Sequence, residues 1–418
     1  MWHPYTQMKT ADPPVAIARG EGALLFDTEH HPYIDAISSW WVCLHGHSHP
    51  HIVKRIQDQL ESLDHVIFAG FTHAPAVELA ERLLQRLPEN QSKVFFSDNG
   101  STAVEIGIKM AIQYWVNRGV EKRRIVALEN GYHGDTFGAM SVGGRGAFVE
   151  PFEPFLFDVT HLPVPTPGNE EKALAAFQSA LRSKDVAAFI FEPLVQGAGG
   201  MIMYSSEILQ RLLALCRQHE VIAIADEVMT GFGRCGRFLA VDHQEIAPDI
   251  ICLSKGLTGG TLPMGVTTCS GSIYEAFHSE NRAHTFFHGH SFTANPVGCA
   301  AALGSLDLLE RDSCWENVRR IEARHKEQVD LLGNHPLVRD ARHTGTILAI
   351  EIDSGGKTSY FSGLRDRLYR FFLGKGVLLR PLGNVVYVLP PYCISDEQLE
   401  TVYQSIHGAL EALAQQRL

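Results

Sequence analysis

The chain lacks most of the features that would settle a function at a glance. No apolar stretch reaches the roughly 18 to 20 residues needed to span a bilayer. The opening MWHPYTQMKT has no basic run leading into an apolar segment, so a secretory signal is not expected. Eight cysteines (Cys43, Cys216, Cys235, Cys252, Cys269, Cys299, Cys314 and Cys393) are scattered without a Cys-x-x-Cys pair. That argues against a zinc ribbon and against a disulfide framework, and a reducing cytoplasm is the expected compartment. Basic residues are in deficit, 36 Lys and Arg against 47 Asp and Glu, for a net charge of −11. Such a balance excludes the broad basic surface of a nonspecific nucleic-acid binder. Repeats and low-complexity segments are missing, and so is the GxxxxGK[ST] pattern of a P-loop nucleotide site. His45, His47 and His49 alternate, but no carboxylate or cysteine cluster stands beside them. A polar loop is therefore expected there, and no metal.

What is present is the composition of an ordinary globular chain. The 418 residues are 45% apolar and 20% charged, enough for two domains with a substantial core. Short apolar runs alternate with helical patterns through the middle, which predicts a largely parallel sheet flanked by helices. Strands are expected at 93–98, 124–130, 186–193, 221–227 and 249–255. Several are apolar without interruption, as burial on both faces requires. Helices are expected from Thr102 to Val116 and over 208–220. Near the ends, 23–29 reads as a strand, and 376–391 reads as two strands around a Leu-Gly-Asn turn. Ser395 and Gln398 form a capping box for a last helix with an apolar stripe of Leu399, Val402, Ile406, Leu410 and Leu413. The simplest division is a central α/β domain over 46–310, with 1–45 and 311–418 folding together as a smaller α+β domain.

Four features fall at the C-terminal ends of expected strands, where open parallel sheets bind ligands. Lys255 closes the run DIICLSK and is followed by glycines. A partly desolvated lysine amine has a lowered pKa and can form an imine with an aldehyde. Asp226 ends VIAIAD; it could cap a helix, or pair with a ring nitrogen and keep it protonated. Gly100 and Ser101 follow a strand and open a helix, a placement that suits either a cap or a phosphate. Tyr132 and His133, between Gly131 and Gly134, follow another strand, where an aromatic ring could stack on a flat heteroaromatic one.

In order and approximate spacing these features resemble the class III aminotransferases dependent on pyridoxal 5'-phosphate (PLP), which have fold type I. Within that class the chain resembles the adenosylmethionine-8-amino-7-oxononanoate aminotransferases of biotin biosynthesis. The likeness rests on HPYT (3–6), SSWW (38–41), HVIFAGFTHAPAVEL (65–79), GYHGDTFGAMS (131–141), QGAGGM (196–201), ADEVMTGFGR (225–234) and FFHGHSFTANP (286–296).

The resemblance implies that Lys255 carries the cofactor and moves the proton, and that Asp226 holds the pyridine nitrogen. Gly100 and Ser101 would bind the phosphate. Tyr132 and His133 would lie against the ring, with Val228 on its other face and Glu192 ordering the site. Ser291, next to His290 in HGHSF, would reach the phosphate of a neighbouring subunit, so a homodimer with shared active sites is implied. The family has proline and threonine at these two positions. The hydroxyl is kept, whereas the fixed φ of proline is lost. On the substrate side, Arg380 would take a carboxylate. Tyr5, Trp40, Trp41, Tyr132 and Tyr387 would line an apolar channel, Asp135 would meet an amine, Gly289 would contact substrate, and Arg234 would offer a second anionic contact. The implied substrates are 8-amino-7-oxononanoate and, as the expected amino donor, S-adenosylmethionine, with lysine as the alternative donor. Another class III aminotransferase acting on an ω-amino acid or diamine, an aminomutase, and a non-catalytic protein that retains PLP remain as alternatives.

Overall fold

The computed structural model describes residues 1–146, 148–355 and 363–418. Its centre is a seven-stranded sheet, assembled from strands whose apolar residues are buried on both faces. In chain order the strands are β1 (Ile17–Glu21), β2 (Leu24–Asp27), β3 (Pro32–Asp35), β4 (Gln91–Ser97), β5 (Arg124–Leu128), β6 (Val159–Leu162), β7 (Val186–Phe191), β8 (Val195–Gln196), β9 (Ile202–Met203), β10 (Ile222–Asp226), β11 (Ile250–Leu253), β12 (Gly265–Ser270), β13 (Val338–Thr344), β14 (Ile347–Ile352), β15 (Val377–Leu378) and β16 (Val385–Val388). The large sheet has the order β4-β12-β11-β10-β7-β5-β6. Only β12 runs against its neighbours. Every residue of β7, β10, β11 and β12 is buried, which is why these runs carry no polar alternation. All five expected central strands are present to within two or three residues. The helices expected from 102 and 208 run Gly100–Asn117 and Ser206–Gln218.

Both chain ends contribute to the remaining sheets. β1, β2 and β3 form an antiparallel set that β15 joins in parallel, Ile34 opposite Val377. β13, β14 and β16 form a second antiparallel sheet. The segment 376–391 thus holds two strands, as expected, but they are not a hairpin: β15 pairs with β3 and β16 with β14, and a single bridge between Leu382 and Val385 marks the turn. The last helix, Asp396–Ala414, begins on the Ser395–Gln398 capping box and buries Leu399, Val402, Ile406 and Leu410.

The three alternating histidines diverge. His45 is buried with Nε2 3.1 Å from Ser305 Oγ, His47 Nε2–H donates to Asp35 Oδ2 at 2.8 Å, and His49 caps the Pro50–Ser62 helix. The polar-loop reading is therefore too plain, since each ring holds a different element.

Candidate active site

The C-terminal ends of β4, β5, β7, β10 and β11 surround a cavity of about 670 Å³. Asp226, the last residue of β10, is buried. Its Oδ1 accepts the Val228 N–H at 3.1 Å and its Oδ2 accepts the His133 Nδ1–H at 2.7 Å. Burial alone would keep His133 neutral, but the bond to Asp226 and that carboxylate's charge outweigh it and hold the imidazole above its ordinary pKa. His133 therefore lines the cavity and also steadies Asp226. Glu192 follows β7; its carboxyl oxygens accept the N–H groups of Tyr132 and Gly197, each at 2.9 Å. Burial pushes this carboxyl up to about 7.

Lys255 stands two residues beyond β11 with φ at +44°, a left-handed conformation unusual for a lysine. Its Nζ lies 4.7 Å from the centre of the Trp41 ring. Burial holds the amine below its ordinary pKa, while the charges of Asp226 and Glu192 act in the opposite sense. The result is an amine with an enlarged neutral fraction, the form that attacks a carbonyl.

On the far side of the cavity, the Gly100–Asn117 helix presents its first turn. Asn99 Oδ1 accepts the Thr102 N–H, and Thr102 Oγ1 accepts the Asn99 N–H, completing a capping box. Ser101 Oγ is 2.7 Å from Thr136 Oγ1 and accepts the Thr136 N–H at 3.1 Å. Here the backbone must come close. Gly134 has φ of +126°, and a Cβ there would sit 2.2 Å from Ser101 Oγ. A Cβ on Gly100 would sit 2.7 Å from Val228 Cγ1. The helix N–H groups and the hydroxyls here are of the kind that could hold a phosphate.

A second cavity of about 520 Å³ opens beside the first and shares Trp41, Tyr132, Asp135 and Lys255 with it. Tyr5, Trp40, Arg380 and Tyr387 line it too, so all the residues expected to meet substrate except Gly289 and Arg234 come together. Tyr5 Oη donates to Asp135 Oδ2 at 2.5 Å and lies 3.3 Å from Tyr132 Oη. Trp41 Nε1–H donates to Tyr387 Oη at 3.1 Å, and the Arg380 guanidinium stands 5.2 Å from the Trp40 ring. The two tryptophans are delivered by a left-handed turn. Ser38, Ser39, Trp40 and Trp41 have φ of 52°, 45°, 75° and 74°. Such a conformation costs about 1–2 kcal/mol per residue. Asp35 offsets part of that cost, accepting the Ser39 N–H at 2.9 Å and Ser39 Oγ–H at 2.7 Å.

Some expected residues are elsewhere. Arg234 is not an anion contact. It is among the most deeply buried side chains, lines neither cavity, and donates to the Pro390 carbonyl at 2.7 Å and to those of Trp41 and Cys43 at 3.4 Å. It supports the turn from beneath. Gly289, His290 and Ser291 line neither cavity of their own chain. Sequence reasoning also missed wall residues. Thr136 lines the inner cavity, and Arg145 and Phe148 line the outer cavity. The threonine had a signal in GDT beside Tyr132; Arg145 and Phe148 lie in a loop with none.

The family model for class III aminotransferases matches residues 5–410. The adenosylmethionine-8-amino-7-oxononanoate aminotransferase of Synechococcus elongatus is 49% identical, covering 99% of each chain. The crystal structure of the enzyme so named from Methanocaldococcus jannaschii superposes with a TM-score of 0.93 at 35% identity, over 98% of this chain and 96% of that one. A PLP-bound amine transaminase from an uncultivated Pseudomonas species superposes with a TM-score of 0.92 at 32% identity, over 98% of both. The chain belongs to the class III aminotransferases.

Proposed function

We propose that this aminotransferase uses PLP to carry the amino group of S-adenosylmethionine to 8-amino-7-oxononanoate, yielding 7,8-diaminononanoate for biotin synthesis. The observation that carries the reading is the position of Lys255. Its desolvated amine lies where a phosphate-cradling cavity with a buried carboxylate meets an aromatic cavity with Arg380.

The residues present fit the cofactor. Gly100, Ser101 and Thr136 line the inner cavity at the first turn of the Gly100–Asn117 helix, where N–H groups and hydroxyls suit a phosphate, and Gly100 and Gly134 let Val228 and Ser101 pack close beside it. Asp226, fixed by its hydrogen bond with His133, suits a protonated pyridine nitrogen. When bound, PLP supplies an aldehyde that takes up amino groups and a ring that withdraws electrons from the bond being broken. The protein's part is positioning and proton transfer. Lys255 Nζ takes the proton from the amine-bearing carbon of the donor and, in the second half of the cycle, delivers one to C7 of the acceptor. Tyr132 and Val228 confine the ring. Arg380 takes the acceptor's carboxylate, Asp135 the amine beside its ketone, and the aromatic wall its methylene chain. Both substrates use one site in turn, which makes the kinetics ping-pong.

Residues 46–310 act in this reading as the cofactor domain, with 1–45 and 311–418 as the smaller one, in a cytoplasmic homodimer. The loop holding Gly289, His290 and Ser291 is flanked by the strongly exposed rings of Phe287 and Phe292. A partner subunit would cover them and receive the Ser291 hydroxyl at its phosphate. The test is mass detection of product from the purified, PLP-loaded protein, with S-adenosylmethionine or lysine as donor. 7,8-Diaminononanoate formed from S-adenosylmethionine is the expected result. Its absence, with turnover of pyruvate or 2-oxoglutarate instead, would overturn the assignment.

A further inference from the structure

The outer cavity holds more positive charge than the reading above uses. Arg145, Arg380 and Lys255 all line it, and Asp135 is its one carboxylate, already accepting a hydrogen bond from Tyr5. Among the described residues no carboxylate lies within ion-pair distance of Arg145 or Arg380. In a chain of net charge −11, two guanidinium groups that line one cavity without a paired carboxylate repel one another unless an anion joins them. Arg145 is also anchored. Its Nη1 donates to the Ser141 carbonyl at 2.9 Å and to those of Met140 and Gly143 at 3.3 Å, at the C-terminal end of the Phe137–Val142 helix. Those bonds fix one nitrogen, and the other guanidinium donors have no partner among the described residues. A row of rings runs between the two arginines. Arg380 stands over Trp40, Trp40 is 5.5 Å from Tyr5, and Tyr5 is 6.1 Å from Phe148, three residues beyond Arg145.

We propose that Arg145 is a second carboxylate-binding residue of the substrate cavity, holding the acceptor's remote carboxylate together with Arg380. The inference rests on the proposed acceptor and assigns it a two-guanidinium clamp. A helix cap would need only the nitrogen already engaged. A clamp needs the remaining donors, which fit the planar fork of a carboxylate.

The experiment compares 8-amino-7-oxononanoate with its methyl ester, which keeps the chain and removes the charge. Wild type must first turn over the acid; if it does not, the functional reading fails and not this inference alone. With wild type active, R145Q should raise the KM for the acid about tenfold, the loss of one charge-assisted hydrogen bond. The KM for the ester should stay unchanged, and R145K should recover part of the loss. An acid KM within twofold of wild type, or equal increases for acid and ester, would overturn the proposal. Should R145Q fail to fold, R380A decides: with Arg145 still in place it should retain a preference for acid over ester, and no preference would sink the clamp.

Discussion

The inner and outer cavities are built in opposite ways. The inner one stands on regular structure: Asp226, Glu192 and Lys255 sit at or just past the ends of buried parallel strands, and Ser101 sits in the first turn of a long helix. The outer one is built from irregular backbone. Trp40 and Trp41 come from four successive left-handed residues, Tyr5 from another, and Arg380 and Tyr387 from the far end of the chain. A rigid sheet suits groups that must hold fixed positions around a ring through every turnover. Strained loops suit a wall that must take two different substrates, and the strain is stored where neighbours such as Asp35 can hold it.

Breaking the inner cavity should have the largest effect. On the proposed function Lys255→Ala would remove both the covalent attachment and the proton carrier, and turnover should fall about 10⁴-fold. Bound cofactor should lose the absorbance of its lysine linkage at the same time. Near-normal turnover would place the chemistry on another residue. Gly134→Ala probes the proposed phosphate site. A Cβ there meets Ser101 in a conformation that alanine resists, so cofactor affinity in a PLP titration should fall about ten- to a hundredfold. Unchanged affinity would mean that Ser101 yields freely.

The outer wall should respond more mildly. Hydrogen bonds to Asp35 and Cys43 overcome burial and raise the His47 imidazole to about 10, against an ordinary value near 6.5. A raised pKa favours the charged ring in the folded state. Its contribution is therefore complete below about pH 6.5 and disappears as pH climbs towards 10. His47→Gln should lower the melting temperature by about 2 °C at pH 6, with the gap closing by pH 10. A gap that stays constant with pH would show that His47 acts by packing rather than by charge.

The same contrast governs what could be read from residues alone. A charged side chain ending a run of buried apolar residues is a strong mark, and it singles out Asp226 and Lys255, both of which line the inner cavity. The central strands were legible because burial on both faces leaves an unbroken apolar run. Pairing partners leave no such trace. Nothing in 376–391 says that its two strands belong to different sheets, since that depends on β3 and β14. Arg234 was misassigned because an arginine after Gly-Phe-Gly looks the same whether it faces a ligand or three buried carbonyls. SSWW pointed to the substrate wall, but only the backbone angles reveal the left-handed turn that aims its rings.

That wall is joined from both termini. β3 pairs with β15, the Ala36 carbonyl receives the Leu389 N–H, Ser38 Oγ–H reaches the Leu389 carbonyl, and the Leu44 carbonyl receives the Tyr392 N–H. During translation the strands that carry Asp226 and Lys255 emerge well before residues 377–392. A nascent chain can thus assemble the inner cavity while the outer one is still open, and the second wall arrives only with strands that leave the ribosome later.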